Sequence, residues 1–182
     1  INGALTVNGA AVGGAMELIS TQTITSAVAS VEVDRNFKDE SYLGYKLVIS
    51  NIIQSTTADL GFRLKVDGVY SSTANYDTSL TSMYQGSTSL STAAAANATS
   101  IKIAYSNVGA SYGEVTILSS ATTTYPRVSF NIDSGNGSSA NAHNYKGVAR
   151  YDTAVSSFGG ISLFVSSGTI SSGTVSLYGI KG

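Results

Sequence analysis

The stretch Val165-Ser-Ser-Gly-Thr-Ile-Ser-Ser-Gly-Thr-Val-Ser-Leu-Tyr-Gly-Ile-Lys181-Gly182 decides the fold. Small polar residues from Ser166 to Gly173 read as a turn, and the residues after Gly173 read as a strand. Val175 and Leu177 fall on one side of that strand and Ser176, Tyr178 and Ile180 on the other, so both faces are expected to be partly covered. A strand this apolar is rarely left as a free edge, because its unpaired N–H and C=O groups would recruit other chains. Its simplest partner is an early strand, Glu17 to Thr25, which closes the domain end to start as in a β-sandwich or jelly roll.

Between these two strands the chain alternates. Ala27, Ala29, Val31 and Val33 face one way and Ser30, Glu32 and Asp34 the other; Tyr45, Leu47 and Ile49 point inward. The clearest case places Leu60, Phe62, Leu64 and Val66 inside and Arg63, Lys65 and Asp67 outside, with Asp67-Gly68 turning the chain into Val69-Tyr70. Further strands are expected at Thr99–Ser106 (Ile101, Ile103 and Tyr105 in, Lys102 out), Glu114–Ser119, Tyr125–Ile132 (Val128, Phe130 and Ile132 in), Tyr145–Tyr151 and Gly160–Ser166. Pro126 sits at the start of its strand, where a missing donor does least harm. Ser71–Asn97 is small and polar and reads as a long excursion loop with room for short strands, in which Ala93–Ala96 could make a helical turn but not a helix. Asp133–Asn144 reads as a flexible Gly/Ser/Asn loop. The fold class is all-β: a jelly-roll-like antiparallel β-sandwich over residues 17–182, preceded by a short extended connector over 1–16.

Composition supports this reading. The chain has 182 residues, enough to bury a core, and only 12% of them are charged, about half the usual share. Ser and Thr make up roughly a quarter of it, so hydroxyls coat strands rich in Val, Ile and Tyr. A net charge of −1 gives no reason to expect nucleic acid. No apolar run reaches the roughly eighteen residues of a membrane-crossing helix, and we expect no membrane insertion. Without cysteine there is no disulfide, thiolate metal site or thiol nucleophile. The chain opens on Ile1 rather than Met, and we expect more protein to precede it.

Four stretches carry a resemblance: Leu18-Ile-Ser-Thr-Gln22, Tyr45-Lys-Leu-Val-Ile-Ser-Asn-Ile52, Leu60-Gly-Phe-Arg-Leu-Lys-Val-Asp-Gly68 and Ser172-Gly-Thr-Val-Ser-Leu-Tyr-Gly-Ile-Lys181. In this order they resemble the β-sandwich domains of tailed-bacteriophage virion proteins, fibres and adhesins of tail, neck and capsid. Gly3-Ala-Leu-Thr-Val-Asn-Gly9 similarly resembles a fibre shaft repeat, in which extended segments of three chains wind together. The resemblance implies a non-enzymatic structural or receptor-binding domain located in the virion. Its implied partners are itself, as a homotrimer, other virion proteins, and a host surface glycan. It supplies no catalytic residues.

The residues that could carry chemistry are few. His143 is the only histidine and lies in a Gly/Ser/Asn stretch; no G-x-S-x-G elbow accompanies it, so a solvated or subunit-contacting histidine is the plainer reading. Glycoside hydrolysis would need two of Asp34, Asp39, Glu40, Asp59, Asp67, Asp77, Glu114, Asp133 and Asp152 at a suitable separation, which spacing in sequence does not give. Asp133-Ser-Gly-Asn-Gly137 lacks the alternating oxygen ligands and closing Glu of a calcium loop, and reads as a glycine turn. We therefore expect no enzyme, cofactor or metal site. Tyrosine is the remaining handle, eleven residues with no Trp. Tyr70, Tyr76, Tyr84 and Tyr112, with Asn136, His143 and Asn144, are the candidate receptor or subunit contacts, because amphipathic rings and amides in loops suit a contact surface. The competing function is a carbohydrate-binding module of a bacterial secreted or surface protein, monomeric and holding calcium.

Overall fold

Fifteen strands and no helix make up the described part of the chain. The computed structural model describes residues 6–7, 10–11, 16–35, 37, 41–87, 89–106, 108–118, 125–136, 139–155 and 158–181; for 6–7, 10–11, 136 and 139–141 it describes the backbone alone. In chain order the strands are β1 (Thr6–Val7), β2 (Ala10–Ala11), β3 (Met16–Ile24), β4 (Ser30–Asp34), β5 (Gly44–Gln54), β6 (Ala58–Val66), β7 (Val69–Tyr70) and β8 (Tyr76–Tyr84). They continue with β9 (Leu90–Ala98), β10 (Ile101–Ser106), β11 (Val108–Leu118), β12 (Arg127–Asn136), β13 (Ser139–Tyr151), β14 (Phe158–Val165) and β15 (Ile170–Ile180).

Two antiparallel sheets pack as a sandwich. The long sheet has eight strands in the order β3-β15-β5-β11-β12-β13-β8-β9, and the short one runs β10-β6-β14-β4 with β7 added to β6. The final strand is closed as its apolar residues demand: β15 lies between β3 and β5, with Ile180 opposite Met16. Val175 and Leu177 are buried, while Ser176, Tyr178 and Ile180 are half-buried on the other side. This strand begins at Ile170, inside the stretch expected to be a turn. The N-terminal piece pairs Thr6 with Ala11 and Val7 with Ala10.

The core forms where inward positions of the two sheets meet. Tyr45, Leu47, Ile49, Leu60, Phe62, Leu64, Val115, Ile117, Ile132, Ile161, Leu163 and Leu177 are all buried there. At one end Phe37 stacks on Phe158 at 4.8 Å and meets Tyr45 edge-on at 4.5 Å, a geometry that aromatic rings favour. The Asp67-Gly68 turn is as expected: both residues have positive φ, 49° and 84°, and Val66 pairs with Val69.

Four local expectations are corrected. Ser71–Asn97 is mostly strand rather than a long loop with short strands: β8 and β9 pair within it as a hairpin, with Ala93–Ala96 extended at the edge of the long sheet rather than helical. The flexible loop expected over Asp133–Asn144 is instead paired strand at its described residues, because β12 and β13 set Asp133 opposite Asn144 and reach Asn136 opposite Ser139. Tyr105 points outward and is exposed, since a register shift between Lys102 and Ala104 turns Ala104 and Ser106 into the core instead. Ala27 and Ala29 are exposed ahead of β4, leaving Val31 and Val33 as the buried pair.

The two lateral sides of the sandwich differ. On one side Gln22 of β3 donates to the Glu32 carbonyl of β4 at 2.7 Å, linking the edges of the two sheets. On the other, β9 overhangs: every residue but the last is exposed, and Ala93, Ala94, Ala95 and Ala98 line a notch of about 250 Å³ with Lys102.

Candidate functional site

The outward positions of the long sheet assemble one surface. Along β12, Val128, Phe130 and Ile132 go into the core, which leaves Arg127, Ser129, Asn131 and Asp133 outside. Along β13, Tyr145, Ala149 and Tyr151 go in, and Lys146, Val148 and Arg150 out. Pairing across β11, β12, β13 and β8 sets these residues in rows. Leu118, Arg127, Arg150 and Asp77 form the first, and Thr116, Ser129, Val148 and Ser79 the second. Glu114, Asn131, Lys146 and Thr81 form the third, and Tyr112, Asp133, Asn144 and Met83 the fourth.

The surface is concave across the first three rows. Two adjoining cavities of about 510 and 390 Å³ share Ser79, Ser129 and Val148. The first reaches Arg127, Arg150, Asp77 and Leu118; the second reaches Lys146, Glu114, Asn131 and Thr81. Val148 stands at their junction and is 59% exposed, with Leu118 54% exposed beside Arg127.

Charge along the groove is partly compensated. Arg150 donates from Nε and Nη2 to Asp77 Oδ2 at 3.0 and 2.8 Å, and Asp77 Oδ1 accepts from the Asn97 backbone N–H at 3.2 Å. The Arg150 guanidinium, then the Asn97 N–H, hold the Asp77 carboxyl below its ordinary value. Lys46 pairs with Glu114 at 2.8 Å. Among the described residues Arg127 and Lys146 have no carboxylate within ion-pair distance.

The contact residues expected from sequence are placed unevenly. Tyr112 and Asn144 belong to the fourth row at the end of the groove; Tyr112 donates to Asn51 Oδ1 at 2.9 Å, and Asn144 donates to both Asn131 and Asp133 at 2.8 Å. His143 pairs with Tyr84 across β13 and β8, with ring centroids 4.5 Å apart, and its Nδ1 lies 3.3 Å from the Tyr145 hydroxyl. These four therefore share one end of the long sheet. Asn136 closes β12 at the same end and is described by its backbone alone. Tyr70 is elsewhere, half-buried on β7, donating to Asp34 at 2.7 Å. Tyr76 is not a contact residue: it is fully buried, accepting from Leu64 N–H and donating to the Ser71 carbonyl, both at 3.0 Å.

The candidate acids are mostly tied to cations. Asp34 pairs with Lys65 at 2.9 Å and Asp59 with Lys102 at 2.6 Å, besides the pairs of Asp77 and Glu114. Asp39 and Glu40 lie outside the described residues. Asp133 accepts from Asn144 across the ladder, so it is a strand residue rather than the start of a glycine turn; Gly137 lies outside the described residues. Among the described residues no three His or carboxylate groups come together in a way that could hold a metal ion.

Sequence reasoning looked to loops and missed the groove. A signal for it is Val148, an apolar residue between Lys146 and Arg150 at positions that all face outward. Compared with known proteins, the chain matches no family model and no curated sequence.

Proposed function

We propose that the chain is a structural and attachment module of a tailed-bacteriophage particle, a jelly-roll-like fibre or adhesin domain that acts as a homotrimer beside other virion proteins. Its work is shape and adhesion rather than turnover. The observation that carries this reading is the β9 edge. Nine residues, Leu90–Ala98, run there without a charge or a proline, exposed on both faces. Natural edges are usually blunted by such residues, so a bare edge is suited to receive another chain. Joining β9 of one copy to β3, the opposite edge, of the next is a head-to-tail contact, the kind a closed three-fold ring requires.

Sedimentation equilibrium of the intact chain tests it. A trimer is expected, and Ala94→Lys, which places a charge in the middle of the edge, is expected to shift it to monomer. A stable monomer of the unmodified chain, or a two-fold dimer, overturns the trimeric reading. The groove on the outer face favours a second reading, a carbohydrate-binding module of a bacterial secreted or surface protein, which would remain monomeric while binding sugar.

A further inference from the structure

We infer that the groove on the outer face of the long sheet is a binding site for an acidic oligosaccharide, with Arg127, Arg150 and Lys146 holding its carboxylates and Val148 its apolar ring face. The inference rests on the attachment reading and names the class of its partner.

Arg127 and Arg150 are directly opposite on neighbouring strands. Like charges in that position repel. Asp77 sits beyond Arg150 in the same row and takes both hydrogen bonds that Arg150 donates on one oxygen, so the one carboxylate of this row is engaged by Arg150. Arg127 is left uncompensated among the described residues, facing a cavity it lines. Lys146 is the second such cation, on the same strand as Arg150 and four positions before it, or about 13 Å away along the ladder. Groove-lining charges are Asp77, Glu114, Arg127, Lys146 and Arg150, an excess of one positive charge in a chain whose net charge is −1. The groove therefore has the sign that the rest of the molecule lacks, and an anionic partner complements it.

The remaining lining selects a sugar over a small anion. Between the cations lies Val148, with Leu118 beside it, offering C–H surface to the face of a pyranose. Ser129, Ser79, Thr116, Thr81 and Asn131 flank it with donors and acceptors for hydroxyls. An elongated trough with cations at both ends and hydroxyls between them matches a linear chain with repeated carboxylates. Ordinary ligand clefts measure about 300–1,000 Å³, and these cavities, near 510 and 390 Å³, fall within that range.

Titration of the intact chain with tetragalacturonate, a neutral galactose tetrasaccharide and inorganic sulfate, followed by amide chemical shifts, tests the site. The expected result is saturable binding of tetragalacturonate alone, with shifts at Ser129, Lys146, Val148 and Arg150. Arg127→Gln is expected to weaken it about tenfold or more, as loss of a charge-assisted contact does. Lys102→Gln, on the short sheet with the same change of net charge, is expected to change it by less than about twofold. Equal binding of the neutral sugar, equal effects of the two variants, or no shift in the groove with tetragalacturonate or an oligosialate overturns the inference. The trimer and its Ala94→Lys response are measured without sugar, so the two readings fail separately.

Discussion

Gly147 stands opposite Phe130 across the β12–β13 ladder, and the Phe130 ring takes the place a side chain at 147 would fill. The Cζ atom lies 2.5 Å from where a Cβ would be, and the Ser79 carbonyl oxygen on the other neighbouring strand lies at the same distance. Gly147→Ala is expected to destabilise the fold by about 1–3 kcal/mol, read from urea unfolding. Because the Ser79 obstacle is backbone and Leu80 Cβ lies at 2.9 Å besides, Phe130→Leu does not rescue it. Full rescue would show that the ring alone matters.

Leu177 and Tyr178 are neighbours on β15 with opposite surroundings, one fully buried and the other half-exposed on the outer face. Leu177→Ala is expected to cost about 2–5 kcal/mol. Tyr178→Ser should cost clearly less, since it opens no core cavity. Equal losses in thermal unfolding would contradict the placement of the two faces.

The Tyr76 hydroxyl joins β6 to the turn after β7 through two buried hydrogen bonds. Tyr76→Phe leaves the Leu64 N–H and the Ser71 carbonyl without that partner, an expected loss of about 1–3 kcal/mol. Burial pushes the Tyr76 phenol up to about 12 from an ordinary 10.0. Its folded value is the higher one, so its contribution to stability is whole below pH 10 and falls as pH rises through 12. Absorbance titration of tyrosinate should show several late-ionising phenols, since burial also raises Tyr70 and Tyr145, and Tyr76→Phe should remove one of them.

Asp34 on β4 accepts from Lys65 and from the Tyr70 hydroxyl, which lower its carboxyl below the ordinary 3.8 in that order of effect. A depressed folded value means the stabilisation is present above about pH 4 and is lost as pH falls through the folded value. Asp34→Asn should lower the melting temperature near neutrality and match the unmodified chain at the acid end. A constant difference across the range would deny the carboxylate this role.

Where one face was covered and the other wet, the sequence was readable. Leu60, Phe62 and Leu64 were legible as core because a period of two has one meaning on a half-covered strand. The closure of β15 on β3 followed from an apolar terminal strand needing a neighbour. The β8–β9 hairpin was not legible, since Ser91 to Ala96 are small residues exposed on both faces and leave no alternation to read. Tyr105 was misassigned because a bulge changes parity without changing composition. The groove was hidden for a third reason. It arises from side chains on four strands brought level by pairing register, and few apolar residues, Val148 and Leu118 in the groove, depart from the polar pattern expected outside.

Met16 and Ile180 face each other at the start of β3 and the end of β15, so these two strand ends lie side by side next to Lys181. Tension between those two strand ends would be borne at a single corner and would open the β3–β15 ladder rung by rung, instead of loading all its hydrogen bonds together as a shearing geometry does. Glu17, which accepts from the Lys181 ammonium at 2.8 Å and from the Tyr42 hydroxyl at 3.1 Å, is the latch at that corner. Under force applied at those two strand ends the sandwich would yield first at that corner, while the grooved face at the middle of the sheet stayed whole.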